Sequence, residues 1–156
     1  MNAFDPTDIR ILETLQADGR ITNQDLAERA HLSASACLRR VRRLEEDGVI
    51  EGYSARLNPS AVGRASSIFI EITLTSQSEA VLDAFERAIA DVPDVMECYL
   101  MAGDFDYLVR VAASSAEDYE RIHKDFLSRL PGVARIRSMF TMRAVCKKRG
   151  FALEGI

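Results

Sequence analysis

The sequence has no tryptophan, only two histidines and four prolines, and no basic excess. Each shortage excludes something. His31 and His123 stand at no telling distance from a serine or cysteine nucleophile, so histidine-driven hydrolysis is not indicated and the chain is not expected to be an enzyme. Cys37, Cys98 and Cys146 lie far apart and match no metal or redox spacing; they read as buried or incidental thiols, and neither metal nor cofactor is expected. No apolar run approaches the ~20 residues of a membrane span. The opening MNAFDPTDIR is acidic and lacks the basic start and apolar run of a signal peptide. A cytoplasmic protein with no membrane partner is expected. Net charge is −4. Division at residue 63 leaves −2 on each side, with 8 basic against 10 acidic residues and then 12 against 14. Any attraction to a polyanion must therefore rest on local placement.

Such a placement exists at SASACLRRVRRLEEDG, Ser33 to Gly48. Ser33 suits an N-cap and Gly48 a left-handed C-cap, so the segment predicts one helix with defined ends. Cys37, Val41 and Leu44 recur at helical spacing and make one apolar stripe. Ser35, Arg39, Arg42 and Arg43 lie opposite, with Arg40 on the flank and Glu45, Glu46 and Asp47 at the far end. The macrodipole favours acids first and bases last, and this helix has arginines in the middle and acids last. Small polar residues followed by arginines suit a duplex: the former approach base edges, the latter reach phosphate or guanine. An ordinary solvated helix has the same pattern, and the preceding segments decide between them.

Asp5-Pro6-Thr7-Asp8 has the chemistry of a helix start, with Ile9, Leu12 and Leu15 inward, supported by Ile11, and Gly19 at the end. Thr22 or Asn23 caps a short helix over QDLAERA, and His31-Leu32 makes the turn into Ser33. This is helix-turn-helix order and length. VIEGYSARL then reads as a loosely alternating strand, a wing or linking strand. Asn58 to Ala65 reads as a hinge, with a domain boundary near Gly63.

Beyond the boundary the period changes. SSIFIEITLT alternates Ile68, Ile70, Ile72 and Leu74 against Phe69, a strand. Ser76-Gln77-Ser78-Glu79 reads as a capping box for a helix burying Val81, Leu82, Phe85, Ala88 and Ile89. VMECYLMAG and DYLVRVAA are strands around the Gly103-Asp104-Phe105 turn. Ser115 opens a helix with Tyr119, Ile122, Phe126 and Leu130 on one face, and VARIRSMFTMRAVC is the last strand. The order β-α-β-β-α-β is the ferredoxin-like split unit, so the expected class is α+β. Its open sheet face carries apolar residues that a second copy would bury, which predicts a dimer.

The string DIRILETLQADGRITNQDLAERAHLSASACLRRVRRLEEDGVIEGYSARLNP and, downstream, AGDFDYLVRV together resemble the Lrp/AsnC family of feast/famine regulators along nearly the whole chain. The resemblance implies a transcription regulator. Residues 1–63 would form the DNA-binding winged helix-turn-helix with its linking strand and hinge. Residues 64–156 would form the ligand-binding and oligomerisation domain. It also implies dimers that assemble further, often to octamers, with amino-acid effectors bound between subunits near Gly103 to Tyr107. Some positions depart from the family pattern: His31 stands where a turn glycine is common, Ala102 where threonine is common, Phe105 where tyrosine is common, and the tail differs after Lys147.

The candidate residues toward double-stranded DNA are thus Ser33, Ser35, Ala36, Arg39, Arg40, Arg42 and Arg43. Ser35 and Arg39 are favoured for base reading. Arg40, Arg42 and Arg43 are expected to contact phosphate or to pair with Glu45, Glu46 and Asp47. The candidate effector residues are Met101, Ala102, Gly103, Asp104, Phe105, Asp106 and Tyr107. Amides beside a glycine turn can hold a carboxylate, and an aspartate can hold an ammonium. Two other readings fit the same architecture. Siroheme decarboxylases resemble this family and would use histidine and arginine around a tetrapyrrole, although the arginine-bearing helix argues against them. A DNA-organising protein would bind the duplex without any effector.

Overall fold

A computed structural model describes residues 4–148 and 150–153. The first three residues of the acidic opening segment, and Arg149 and residues 154–156 of the divergent tail, lie outside the described residues. Contacts gather the chain into two compact units, Met1–Arg56 with Val145–Ile156, and Leu57–Ala144. The tail thus groups with the first unit, whereas the sequence reading had placed it in the second.

The first unit contains three helices: α1 (Pro6–Ala17), α2 (Asn23–Ala30) and α3 (Ala34–Glu46). Their starts follow the expected capping chemistry. Asp5 accepts from the amides of Thr7 and Asp8 at 2.9 and 2.8 Å. Thr22 accepts from Asp25, and Ser33 from Ala36. Each satisfies an amide that the helix itself leaves without a partner. His31 takes the left-handed conformation, φ 56°, that the turn requires; histidine is among the residues enriched there. Ile11, Leu12, Leu26, Ala27, Ala30, Cys37, Val41 and Leu44 form one buried core. Leu153 of the tail packs against it. Phe151 is bound twice to the Gln16 side chain, its amide donating at 2.6 Å and its carbonyl accepting at 3.3 Å.

The expected strand over VIEGYSARL does not form. Residues 51–57 are exposed and without regular structure. A strand must place its amides and carbonyls on a neighbouring edge, and no described segment provides one. The segment expected to hinge, Asn58 to Ala65, is held at several points. Asn58 accepts from Ser60 and Val62, Pro59 from Arg64, and Gly63 takes φ 70°. Arg64 reaches Asp94 at 2.9 Å and Asp118 at 3.1 Å.

The second unit is a four-stranded antiparallel sheet in the order β2-β3-β1-β4, formed by β1 (Ser66–Leu74), β2 (Val95–Leu100), β3 (Tyr107–Ala113) and β4 (Val133–Phe140). Helices α4 (Glu79–Ala90) and α5 (Ala116–Asp125) complete the β-α-β-β-α-β order. Ile68, Ile70 and Ile72 pair with Val111, Val109 and Tyr107. That face is buried with Phe85 and Ile89 of α4 and with Tyr119 and Ile122 of α5, so both helices cover one side of the sheet. Three local readings are corrected. Ser78 caps α4 without a side-chain bond, because Ser76 instead accepts from the Ser78 amide, so no capping box closes. Helix α5 stops at Asp125 and a tighter turn, Leu127–Arg129, follows, burying Leu127. Strand β4 ends at Phe140 rather than running to Cys146; Thr141 still donates to the Ser67 carbonyl of β1, and the regular pairing stops there.

Candidate functional site

Two surfaces collect the residues singled out by sequence, one on each unit. On α3, Ser33, Ser35, Arg39, Arg42 and Arg43 are exposed, and Ala36 and Arg40 are half-buried. The buried stripe of Cys37, Val41 and Leu44 fixes which side faces out. Asn23 donates to the Ala34 carbonyl at 2.9 Å and ties the start of α3 to α2. Ser35, Leu38, Arg39, Arg42, Arg43 and Glu46 line a shallow groove of about 330 Å³.

The arginines fall into two pairs. Arg39 and Arg42 make no ion pair among the described residues. Arg40 does, and its partners are not the acids at the end of its own helix. Its guanidinium reaches Asp5 at 2.5 Å and Asp8 at 2.9 Å. Arg43 pairs with the other oxygen of Asp8. The Asp8 side chain is only 4% exposed. Sequence reasoning had treated Asp8 as a favourable charge at a helix start and missed this role. A signal was present: Asp8 leads Ile11, Leu12 and Leu15 at helical spacing, so it occupies the inward stripe, where a carboxylate needs a cation.

On the second unit, the turn between β2 and β3 divides sharply. Met101, Ala102, Gly103 and Asp104 are exposed, Phe105 is half-buried, and Asp106 and Tyr107 are buried. Asp106 faces inward. Its carboxylate accepts from the Leu74 amide at 2.7 Å and from Gln77 at 2.6 Å. Its own backbone closes the turn, accepting from Met101 at 2.8 Å and donating to Ile72 at 2.9 Å. Asp106 therefore braces the loop, with both carboxylate oxygens engaged inside the fold. Tyr107 is likewise internal. Its ring lies 4.4 Å from Phe85, and its hydroxyl donates to Glu86 at 2.7 Å. Burial first, and then the Glu86 carboxylate, raise the Tyr107 hydroxyl well above its usual range and keep it a donor.

The outer part of the turn is differently equipped. The amides of Ala102, Gly103, Asp104 and Phe105 find no acceptor among the described residues. A Cβ added to Gly103 would meet nothing within 4 Å. Beside the turn, between α4 and the β2 edge, lies a cleft of about 440 Å³ lined by Ile89, Val95, Met96, Cys98, Leu100 and Tyr107, among others. Burial, then the neighbouring Glu86, push the Cys98 thiol up to about 11, so it presents a neutral S–H to that cleft.

Comparison with known proteins decides the family. Residues 4–51 match a winged helix-turn-helix DNA-binding family, and residues 67–151 match the Lrp/AsnC ligand binding domain. The chain belongs to the Lrp/AsnC family. This Lrp/AsnC protein is 41% identical to the Bkd operon transcriptional regulator of Pseudomonas aeruginosa over 93% of its own length and 95% of that protein's. It is also 41% identical to the leucine-responsive regulatory protein of Escherichia coli, covering 91% and 87% of the two chains. Among solved structures, a transcriptional regulator from Neisseria meningitidis in complex with L-methionine superposes with a TM-score of 0.91 at 31% identity over 97% of each chain. A feast or famine regulatory protein from M. tuberculosis complexed with L-methionine gives 0.85 at 38% identity over 94% and 97%. Like its family, the protein is a DNA-binding transcriptional regulator with an effector-binding second unit. No helix among its described residues is long and apolar enough to cross a membrane.

Proposed function

We propose that this regulator binds an α-amino acid with an apolar side chain on the outer part of the 101–105 turn, and that binding shifts its grip on DNA or its assembly. The observation that carries this reading is the set of free amides from Ala102 to Phe105 with the exposed Asp104 among them. Amides converging on a turn suit a carboxylate, and a carboxylate suits an ammonium. The adjoining cleft offers Ile89, Val95, Met96 and Leu100 to an apolar side chain. Two relatives of similar fold carry L-methionine. Met101, Ala102, Gly103, Asp104 and Phe105 are the contacts in this reading, with Asp106 and Tyr107 holding them from behind.

At the other unit, Ser35 and Arg39 read bases and Arg42 contacts phosphate, with Ser33 capping the helix that carries them. The second unit dimerises through its open sheet face, where Phe69 and Leu108 are half-buried and Met139 and Tyr99 are exposed. Dimers assemble further, toward octamers, so that the effector lies between subunits. The protein acts in the cytoplasm and performs no catalysis.

Calorimetry of the intact protein with L-methionine and L-leucine tests the effector reading, with Gly103→Arg and Asp104→Ala as controls. Gly103→Arg has room in the fold, so it should keep the structure and abolish the heat. No heat from either amino acid with the wild type would sink the proposal. A porphyrin giving a Soret band on mixing would favour the decarboxylase architecture instead.

A further inference from the structure

Four arginines stand on α3, but the structure leaves only two of them without a carboxylate partner. Both oxygens of Asp8 are used, Oδ1 by Arg40 at 2.9 Å and Oδ2 by Arg43. Asp5 divides its oxygens: Oδ1 caps α1, and Oδ2 takes the same Arg40 nitrogen at 2.5 Å. One Arg40 nitrogen thus meets two carboxylate oxygens, and Asp8 bridges two guanidinium groups, the kind of charge-assisted contact a phosphate would otherwise supply. The arrangement is also hard to undo. Asp8 is 96% covered, so withdrawing its arginines to a duplex would leave a charge in the interior without compensation.

We propose that Asp5 and Asp8 are specificity-setting residues: built-in phosphate mimics that remove Arg40, and most of Arg43, from the electrostatic footprint on DNA and fix the roll of α3. The proposal rests on the reading that the arginine face of α3 meets the duplex. Only Arg39 and Arg42 then release counterions on binding. The positive charge of the reading face, which Glu46 also borders, is correspondingly small, and attraction to arbitrary sequence is weak. An acidic chain with a net charge of −4 thus depends less on bulk attraction and more on where α3 is aimed. Arg43, half in solvent, is the intermediate case: one nitrogen is held while the rest of the fork faces outward.

Salt dependence separates this from a merely structural ion pair. The full-length protein is titrated by anisotropy against a mixed-sequence duplex and against a duplex selected by the wild type from a random library, over a series of salt concentrations. Arg39→Ala and Arg42→Ala should each flatten the slope of log affinity against log salt by about 0.9 per contacting head. Arg40→Met should leave that slope unchanged while lowering affinity for the selected duplex. Asp5→Ala, which also removes the cap of α1, should steepen the slope and strengthen binding to the mixed-sequence duplex. Asp8→Asn should do so more strongly and narrow the ratio between the two duplexes. The proposal is overturned if Arg40→Met flattens the slope as much as Arg39→Ala, or if Asp5→Ala leaves it unmoved. If Arg39→Ala and Arg42→Ala also change nothing on either duplex, the orientation of α3 toward DNA fails as well, a result distinguishable from the first.

Discussion

Both units bury a carboxylate next to their functional surface, and they use it differently. In the helical unit, Asp8 holds the guanidinium groups of Arg40, on the flank of α3, and Arg43, which lines the groove with the candidate base readers. In the sheet unit, Asp106 holds backbone: the Leu74 amide, the Gln77 side chain and, through its own main chain, both ends of the 101–106 turn. The first arrangement restrains what long flexible side chains can reach. The second fixes the path of a loop whose amides from Ala102 to Phe105 find no acceptor among the described residues. One buried carboxylate restrains side chains and the other restrains main chain.

The comparison predicts a ranking. Asp106→Ala strips a charged acceptor from a buried amide and from Gln77, and should cost about 3 kcal/mol by urea unfolding while abolishing effector heat. Asp8→Ala should cost less, about 2 kcal/mol, because Arg40 and Arg43 can both turn to water. If Asp8→Ala proved the more costly, Asp8 would be a structural element first and the contrast would break. Ser33→Ala removes one cap bond from α3 and should cost ~1 kcal/mol by the same measurement. Acid titration sharpens the contrast further. The Arg40 guanidinium holds Asp5 below its ordinary value of 3.8, and the Ser114 amide, with Arg121, holds Asp118 below the same value. A carboxyl depressed in the folded state stabilises fully above its unfolded value and loses that contribution as pH falls through the folded one. Both units should therefore weaken below about pH 4, and Asp118→Ala should remove part of that loss from the sheet unit alone. The smallest effect is chemical. At pH 8 the exposed Cys146 should alkylate well before Cys98 and Cys37, whose thiols burial pushes up. Equal labelling rates would show that the cleft at Cys98 is open and wet.

What could be read from sequence was what depends on neighbours in the chain. Caps at Asp5, Thr22 and Ser33 depend on an oxygen two or three residues from an amide. The left-handed turn at His31 depends on one residue. The alternation of Ile68, Ile70 and Ile72 announces a buried strand face, and the stripe of Cys37, Val41 and Leu44 a buried helix face. What was missed depends on distant residues. Arg40 lies 35 residues from Asp5 and 32 from Asp8, so no local window pairs them. The inward turn of Asp106 depends on Leu74 and Gln77, donors from another strand and the loop after it. VIEGYSARL has the composition of a strand but no described edge to join. The turn read at Gly103 to Phe105 lies within the longer one observed between Leu100 and Tyr107, but which of its residues faced inward was legible only in three dimensions.

The return of the tail to α1 has a consequence for biosynthesis. Leu153 and Phe151 reach the first core and Gln16 only after every residue between them has been translated. The DNA-reading unit therefore gains these contacts only after the entire sheet unit has been translated. Until then its helices stand without the cover that Leu153 supplies.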